Sequence, residues 1–163
     1  MDFRQSFRTR VWLPALGLLR QGLTPHKLTL SVVVGACFGV IPIPGVATLL
    51  AGGIALLFRL NQPAVQMANY AVYVPQFALI LPFIGMGEWM FDAEKLPFSA
   101  HKLLDMLRED PGGTLAQFYA TLLHAVAAWA VSSLVAGTLM YFILKPVFAR
   151  LSARLATPPS PVT

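Results

Sequence analysis

The chain has 163 residues and a formal net charge of +5; 56% of its residues are hydrophobic and only 12% are charged. A soluble domain carries roughly 25% charged residues, so the polar surface of an ordinary water-soluble globule is missing, and the length allows a single domain. One cysteine, Cys37, excludes a disulfide framework; the scattered His26, His101 and His124 form no HxxxH or HExxH spacing, so neither metal nor cofactor is expected.

The first element is a basic surface helix over residues 1–23. Phe3, Phe7 and Val11 recur at helical spacing beside Arg4 and Arg8, with Trp12 following, a pattern suited to an anionic membrane leaflet. A single membrane domain then runs over residues 24–154. Its charges are clumped, leaving three uncharged windows, Leu28–Phe58, Leu60–Gly87 and Pro111–Leu144. Each exceeds the roughly 20 residues that a helix needs to cross a bilayer. Because the basic residues flank these windows instead of forming a stripe, the partner they imply is membrane lipid, anionic lipid included, and not nucleic acid.

Thr24-Pro25 reads as the cap and first residue of a helix. The window behind it is divided by Pro42-Ile43-Pro44-Gly45 into two arms too short to cross alone, so residues 24–59 are expected to form a re-entrant hairpin. Small residues recur every four positions on both arms: Ser31, Gly35 and Gly39, then Ala47, Ala51 and Ala55. Residues 60–87 and 114–145 are the two transmembrane helices. Between them, residues 88–113 hold six acids and three bases, with a short helix in which Ala100, Leu103, Leu104 and Leu107 form a stripe ended by Asp110-Pro111-Gly112-Gly113. Residues 155–163 are a Pro-rich, disordered tail. Five basic residues before the first window and three after the last place both termini in the cytoplasm, and this parity requires the hairpin. The expected fold is all-α and integral to the membrane: a re-entrant helical hairpin plus two transmembrane helices, flanked by interfacial amphipathic helices.

Polar residues at membrane depth supply the candidate site. Gln62, Gln66, Asn69, Tyr73 and Gln76 lie on one face if residues 60–87 are one helix, and Gln117, Thr121 and His124 share a face on the last segment. These stripes are expected to face each other and the hairpin, either as hydrogen-bonding glue between helices or as the wall of a polar cavity. At the hairpin tip, Pro42, Pro44, Gly45 and Thr48 precede the second arm, whose unpaired N–H groups suit an anion. Arg59 and Asn61 add a cation and an amide. Glu88 and Asp92 lie one helical turn apart but read as a solvated rim, and no serine has a nucleophile context, so catalysis is not favoured.

Thr24-Pro25, Gly35-x-x-x-Gly39-x-x-Pro42-x-Pro44-Gly45, Leu49-Leu50-Ala51, Ala55-Leu56, Arg59-x-Asn61-x-Pro63-Ala64 and Gly85 together resemble the bacterial membrane proteins grouped as domain of unknown function 2062. The likeness covers about Thr24 to Phe91. It departs from the family at Val74-Pro75, where many members carry Asn-Pro. The resemblance implies a bacterial inner-membrane location and a short helical fold, and brings no reaction with it. Two functions stand open: a small transporter or lipid-handling protein that binds an anionic or phosphorylated lipid head at the hairpin tip and is expected to form a homo-oligomer, or a non-catalytic accessory subunit of an envelope glycosyltransferase or related enzyme complex.

Overall fold

A computed structural model describes residues 24–93 and 100–156; the surface helix expected over residues 1–23 and the tail beyond residue 156 lie outside the described residues. Every regular element among the described residues is a helix: α1 (Pro25–Gly39), α2 (Ala47–Leu57), α3 (Gln62–Ala71), α4 (Tyr73–Met90), α5 (Ala100–Glu109) and α6 (Pro111–Ala156).

Local chemistry sets most of these boundaries. The Thr24 hydroxyl accepts a bond from the Lys27 N–H at 3.3 Å, and Pro25 opens α1. Beyond Gly39, two prolines cannot donate to a helix, and Gly45 turns the chain at φ +88°. At the end of α2 the Leu60 N–H reaches the Ala55 carbonyl and the Arg59 N–H that of Leu56, the Schellman pattern that needs a left-handed residue. Arg59 fills that position with φ +51°. Asn61 then caps α3, its side-chain oxygen accepting from the Ala64 N–H at 2.9 Å, with Pro63 in the first turn. The Arg59-x-Asn61-x-Pro63-Ala64 segment is thus a helix stop and a helix start fused in one turn.

The segment expected over residues 60–87 as one helix is two. Pro75 has no N–H, and its ring would collide with the Ala71 carbonyl, so α3 ends there and α4 leaves at a 63° bend. At Asp110-Pro111-Gly112-Gly113, expected to stop α5, the next helix begins at once. The Asp110 carboxylate caps it by accepting from the Gly113 N–H at 2.9 Å, and Pro111 occupies the first position, where no N–H is required.

Three helices form a tight unit. α1 and α3 run parallel in near contact: the Asn61 N–H donates to the Ser31 hydroxyl at 3.0 Å, Gly35 lies on the Val65 carbonyl, and Gly39 lies on Asn69 and Val72. α2 runs back alongside both, burying Ala51 and Ala55 with Val65 against Val34 and Phe38. The two small-residue faces therefore do not simply meet each other. Gly35 and Gly39 admit the α3 backbone, because a side chain there would hold the two parallel helices apart, and the small Ser31 bonds to the start of α3.

The long α6 runs antiparallel to α1 and α4. Its first half packs on α4, where Gly87 meets the backbone of His124 and Ala125. Its second half packs on α1, and Phe148 closes a cluster with Leu28 and Ala64. By length and composition, Pro111–Ala153 could cross a membrane, and α3 with α4 passes the same test as a bent pair. Only 17% of the most apolar window of α6 is buried inside the fold, and Leu134, Leu139, Phe142 and Ile143 are exposed.

Candidate functional site at the paired helix breaks

The two interruptions of helical backbone meet. α1 stops at Gly39 and α3 at Ala71, and the first turn of α4 carries Gln76 into the hairpin tip, where its side-chain N–H donates to the Ile41 carbonyl at 2.8 Å. Gln76 is 1% exposed. A carbonyl freed by the prolyl turn needs such a partner wherever water is scarce. On the other side of α1, the Trp129 indole N–H donates to the Cys37 carbonyl at 2.8 Å, satisfying one of the acceptors left open at the end of the helix.

The amides of α3 turn toward α2 and hold it. The Gln62 side chain donates to the Gly52 carbonyl at 2.8 Å, and Gln66 donates to the Thr48 carbonyl at 3.3 Å. Asn69, 4% exposed, donates to the Thr48 hydroxyl at 3.0 Å. These three residues keep the spacing that an uninterrupted stripe would have, but the break at Val72 takes Tyr73 off it. Tyr73 is 53% exposed and packs edge-on against Phe77 at 5.3 Å.

The structure thus gathers Pro42, Thr48, Gln66, Asn69 and Gln76 around the tip, with Pro44 and Gly45 exposed at its apex. Arg59 and Asn61 belong to the opposite end of α2, whose 11 residues put about 16 Å between them and the tip. One small head group cannot touch both ends. Asn61 is occupied as a cap, and Arg59 is exposed at the turn. His124 lies elsewhere again: its ring stacks on Phe91 with centroids 4.5 Å apart, and its buried Nδ1 has no hydrogen-bond partner. The polar faces of α3 and α6 do not meet either, since α3 spends its amides on α2 while Thr121 and Ala128 are buried where α6 packs on α4.

Two participants escape a reading of residue spacing. Ser31 acts as an acceptor for the α3 entry as well as a small spacer. Trp129 is legible in retrospect, because an indole N–H within an apolar window requires an acceptor. The α2 N-terminus behind the tip has no side-chain cap at Val46. It offers first-turn N–H groups and the positive end of a helix dipole.

A family model described as "Uncharacterized protein conserved in bacteria (DUF2062)" matches residues 12–156. No curated protein and no solved structure gives a match.

Proposed function

The chain belongs to this uncharacterized family conserved in bacteria, and from that premise we propose that it is a multi-pass inner-membrane protein with both termini cytoplasmic, serving as a small transporter or lipid-handling protein. In this reading α1 and α2 form the re-entrant hairpin, the bent pair α3–α4 crosses outward, and α6 crosses back. Three features support it. The exposed face of α6 is apolar where the core helix of a soluble protein would be covered. Lys27, Arg59, Lys145 and Arg150 fall toward the end where α1 begins, as the His26–Tyr141 and Ser31–Asn61 contacts require. Glu88, Asp92, Asp105, Glu109 and Asp110 fall toward the other end.

The observation that carries the functional reading is the coincidence of the two helix breaks, joined by Gln76. Non-helical backbone at membrane depth persists where protein buries it or where it lines a binding site, and discontinuous helices with uncapped N-termini hold anionic substrates in transporters. The proposed contact for an anionic or phosphorylated lipid head is the uncapped start of α2, framed by Thr48, Asn69 and Gln76. The accessory-subunit reading draws less support, because the small faces that would receive partner helices are covered within the chain by α3.

Val46→Asn tests the proposal. Asparagine at that exposed position places a side-chain carbonyl beside the first-turn N–H groups, where it competes with an anion for them, without adding a charge at membrane depth. The protein purified from bacterial membranes is expected to carry an anionic lipid by native mass spectrometry, and Val46→Asn to lose it while keeping its thermal stability. Unchanged lipid occupancy would refute the site.

A further inference from the structure

Along the outer side of the packed pair α1–α6 runs a groove of about 570 Å³, floored by Val33, Val34 and Cys37 and walled by Phe38, Trp129 and Phe142. That volume falls within the range of about 300–1,000 Å³ typical of small-molecule sites. From Trp129 to Phe142 the groove follows α6 for about 20 Å, open to the outside and almost wholly apolar. Its chemistry changes at one end only. There the His26 Nδ1 and the Tyr141 hydroxyl share a hydrogen bond at 2.8 Å, and the Lys145 ammonium lies 5.5 Å from the Tyr141 ring centroid. Both His26 and Lys145 are exposed, with Lys27 next in the chain.

We propose that this groove is a lipid site distinct from the hairpin tip: one acyl chain lies against Val33, Phe38 and Trp129, and the anionic phosphate of the same lipid rests on Lys145, Tyr141 and His26. The amphiphilic layout selects the occupant. The small and apolar lining would receive a helix or an acyl chain alike; the exposed Lys145 and the polar His26–Tyr141 pair at one end match the phosphate of a lipid. When the Tyr141 hydroxyl donates to Nδ1, the second ring nitrogen of His26 keeps its N–H for a phosphate oxygen, and Lys145 adds a charge-assisted bond. The site rests on the membrane reading above, because the basic end must lie at the cytoplasmic surface, but it does not rest on the anion site at the tip.

The test uses the full-length protein in bilayer discs containing phosphatidylglycerol, or phosphatidylethanolamine as a zwitterionic control, each bearing a photoreactive group in its acyl chain. Phosphatidylglycerol is expected to crosslink within residues 129–142, and at Cys37 and its neighbours, in preference to phosphatidylethanolamine. Lys145→Gln should lower that preference about fivefold, the effect of roughly one interfacial cation, and His26→Leu, which removes the ring N–H, should lower it by a smaller factor. Ala130→Trp, at an exposed position on the groove wall, should abolish the crosslink, and Val46→Asn should leave it intact. Equal crosslinking of both lipids, or no response to Lys145→Gln, would overturn the proposal. So would a crosslink lost together with a dimer in Ala130→Trp, which would make the groove an interface between copies. Alkaline carbonate extraction separates the two failures: protein that stays in the membrane but shows no selective crosslink refutes this site alone, whereas extracted protein refutes the membrane reading itself.

Discussion

Replacing glycines by alanine should divide them by sign. A Cβ added at Gly35 would run into the Val65 carbonyl and sit 2.8 Å from the Ala68 Cβ. The first obstacle is backbone, so no side-chain rotation relieves it, and α1 must move away from α3. Overpacking of this kind costs typically about 1–3 kcal/mol. Alanine returns about 1 kcal/mol over glycine inside a helix, leaving a net loss of up to about 2 kcal/mol. At this chain length each kcal/mol is worth roughly 2–4 °C of melting temperature. Gly53 and Gly85 have nothing within 4 Å of an added Cβ, so alanine there should raise the midpoint by a few degrees through helix propensity alone. Thermal unfolding of the detergent-solubilised variants reads all three. A Gly35→Ala midpoint that rises with those of Gly53→Ala and Gly85→Ala would refute the close α1–α3 approach.

Gln76→Leu removes the bond to Ile41 and should destabilise by about 0.6–1.7 kcal/mol, the span measured for interhelical bonds in membranes; hydrogen exchange at residues 40–46 should accelerate, and unchanged exchange would count against the joined breaks. Asn69→Leu should loosen the start of α2, because Thr48 loses its partner, so any lost binding in that variant must be weighed against lost structure by measuring both. Arg59→Gly should stabilise by about 1 kcal/mol, since a non-glycine residue in the left-handed region costs roughly 1–2 kcal/mol, whereas Arg59→Ala should not; if Arg59→Gly instead lowers the melting midpoint, the guanidinium makes a contact worth more than the strain. Asn61→Ala should cost about 0.5–2 kcal/mol through the lost cap, read in the same melting assay.

The sequence made the local punctuation legible. Thr24-Pro25 marks a helix start and Pro42 to Gly45 a break, each through chemistry confined to a few residues. Where the account needed an element's neighbours, spacing alone misled. The stripe Gln62, Gln66, Asn69, Tyr73 and Gln76 assumes an unbroken helix, and Pro75, visible in the sequence, breaks it just before Tyr73. Small residues recur on both arms, yet periodicity records only that a face is small, and the parallel α3 takes up the first of them. His124 was grouped with the tip because both lie in apolar windows, but depth along one helix says nothing about which neighbour it meets. Amides in an apolar window need hydrogen-bond partners. That those partners are the Gly52, Thr48 and Ile41 carbonyls, supplied by α2 and the prolyl turn, follows only from the fold.

The arrangement of α1 and α2 as a hairpin that returns to its own side of the membrane is tested most directly by site-specific labelling. With Cys37 replaced by serine, single cysteines at Arg59, His101 and Arg150 would be probed in intact cells and in inverted vesicles with a membrane-impermeant maleimide. The proposed topology predicts labelling of positions 59 and 150 only from the cytoplasmic face and of position 101 only from the periplasm. Labelling of position 59 from outside the cell would contradict it.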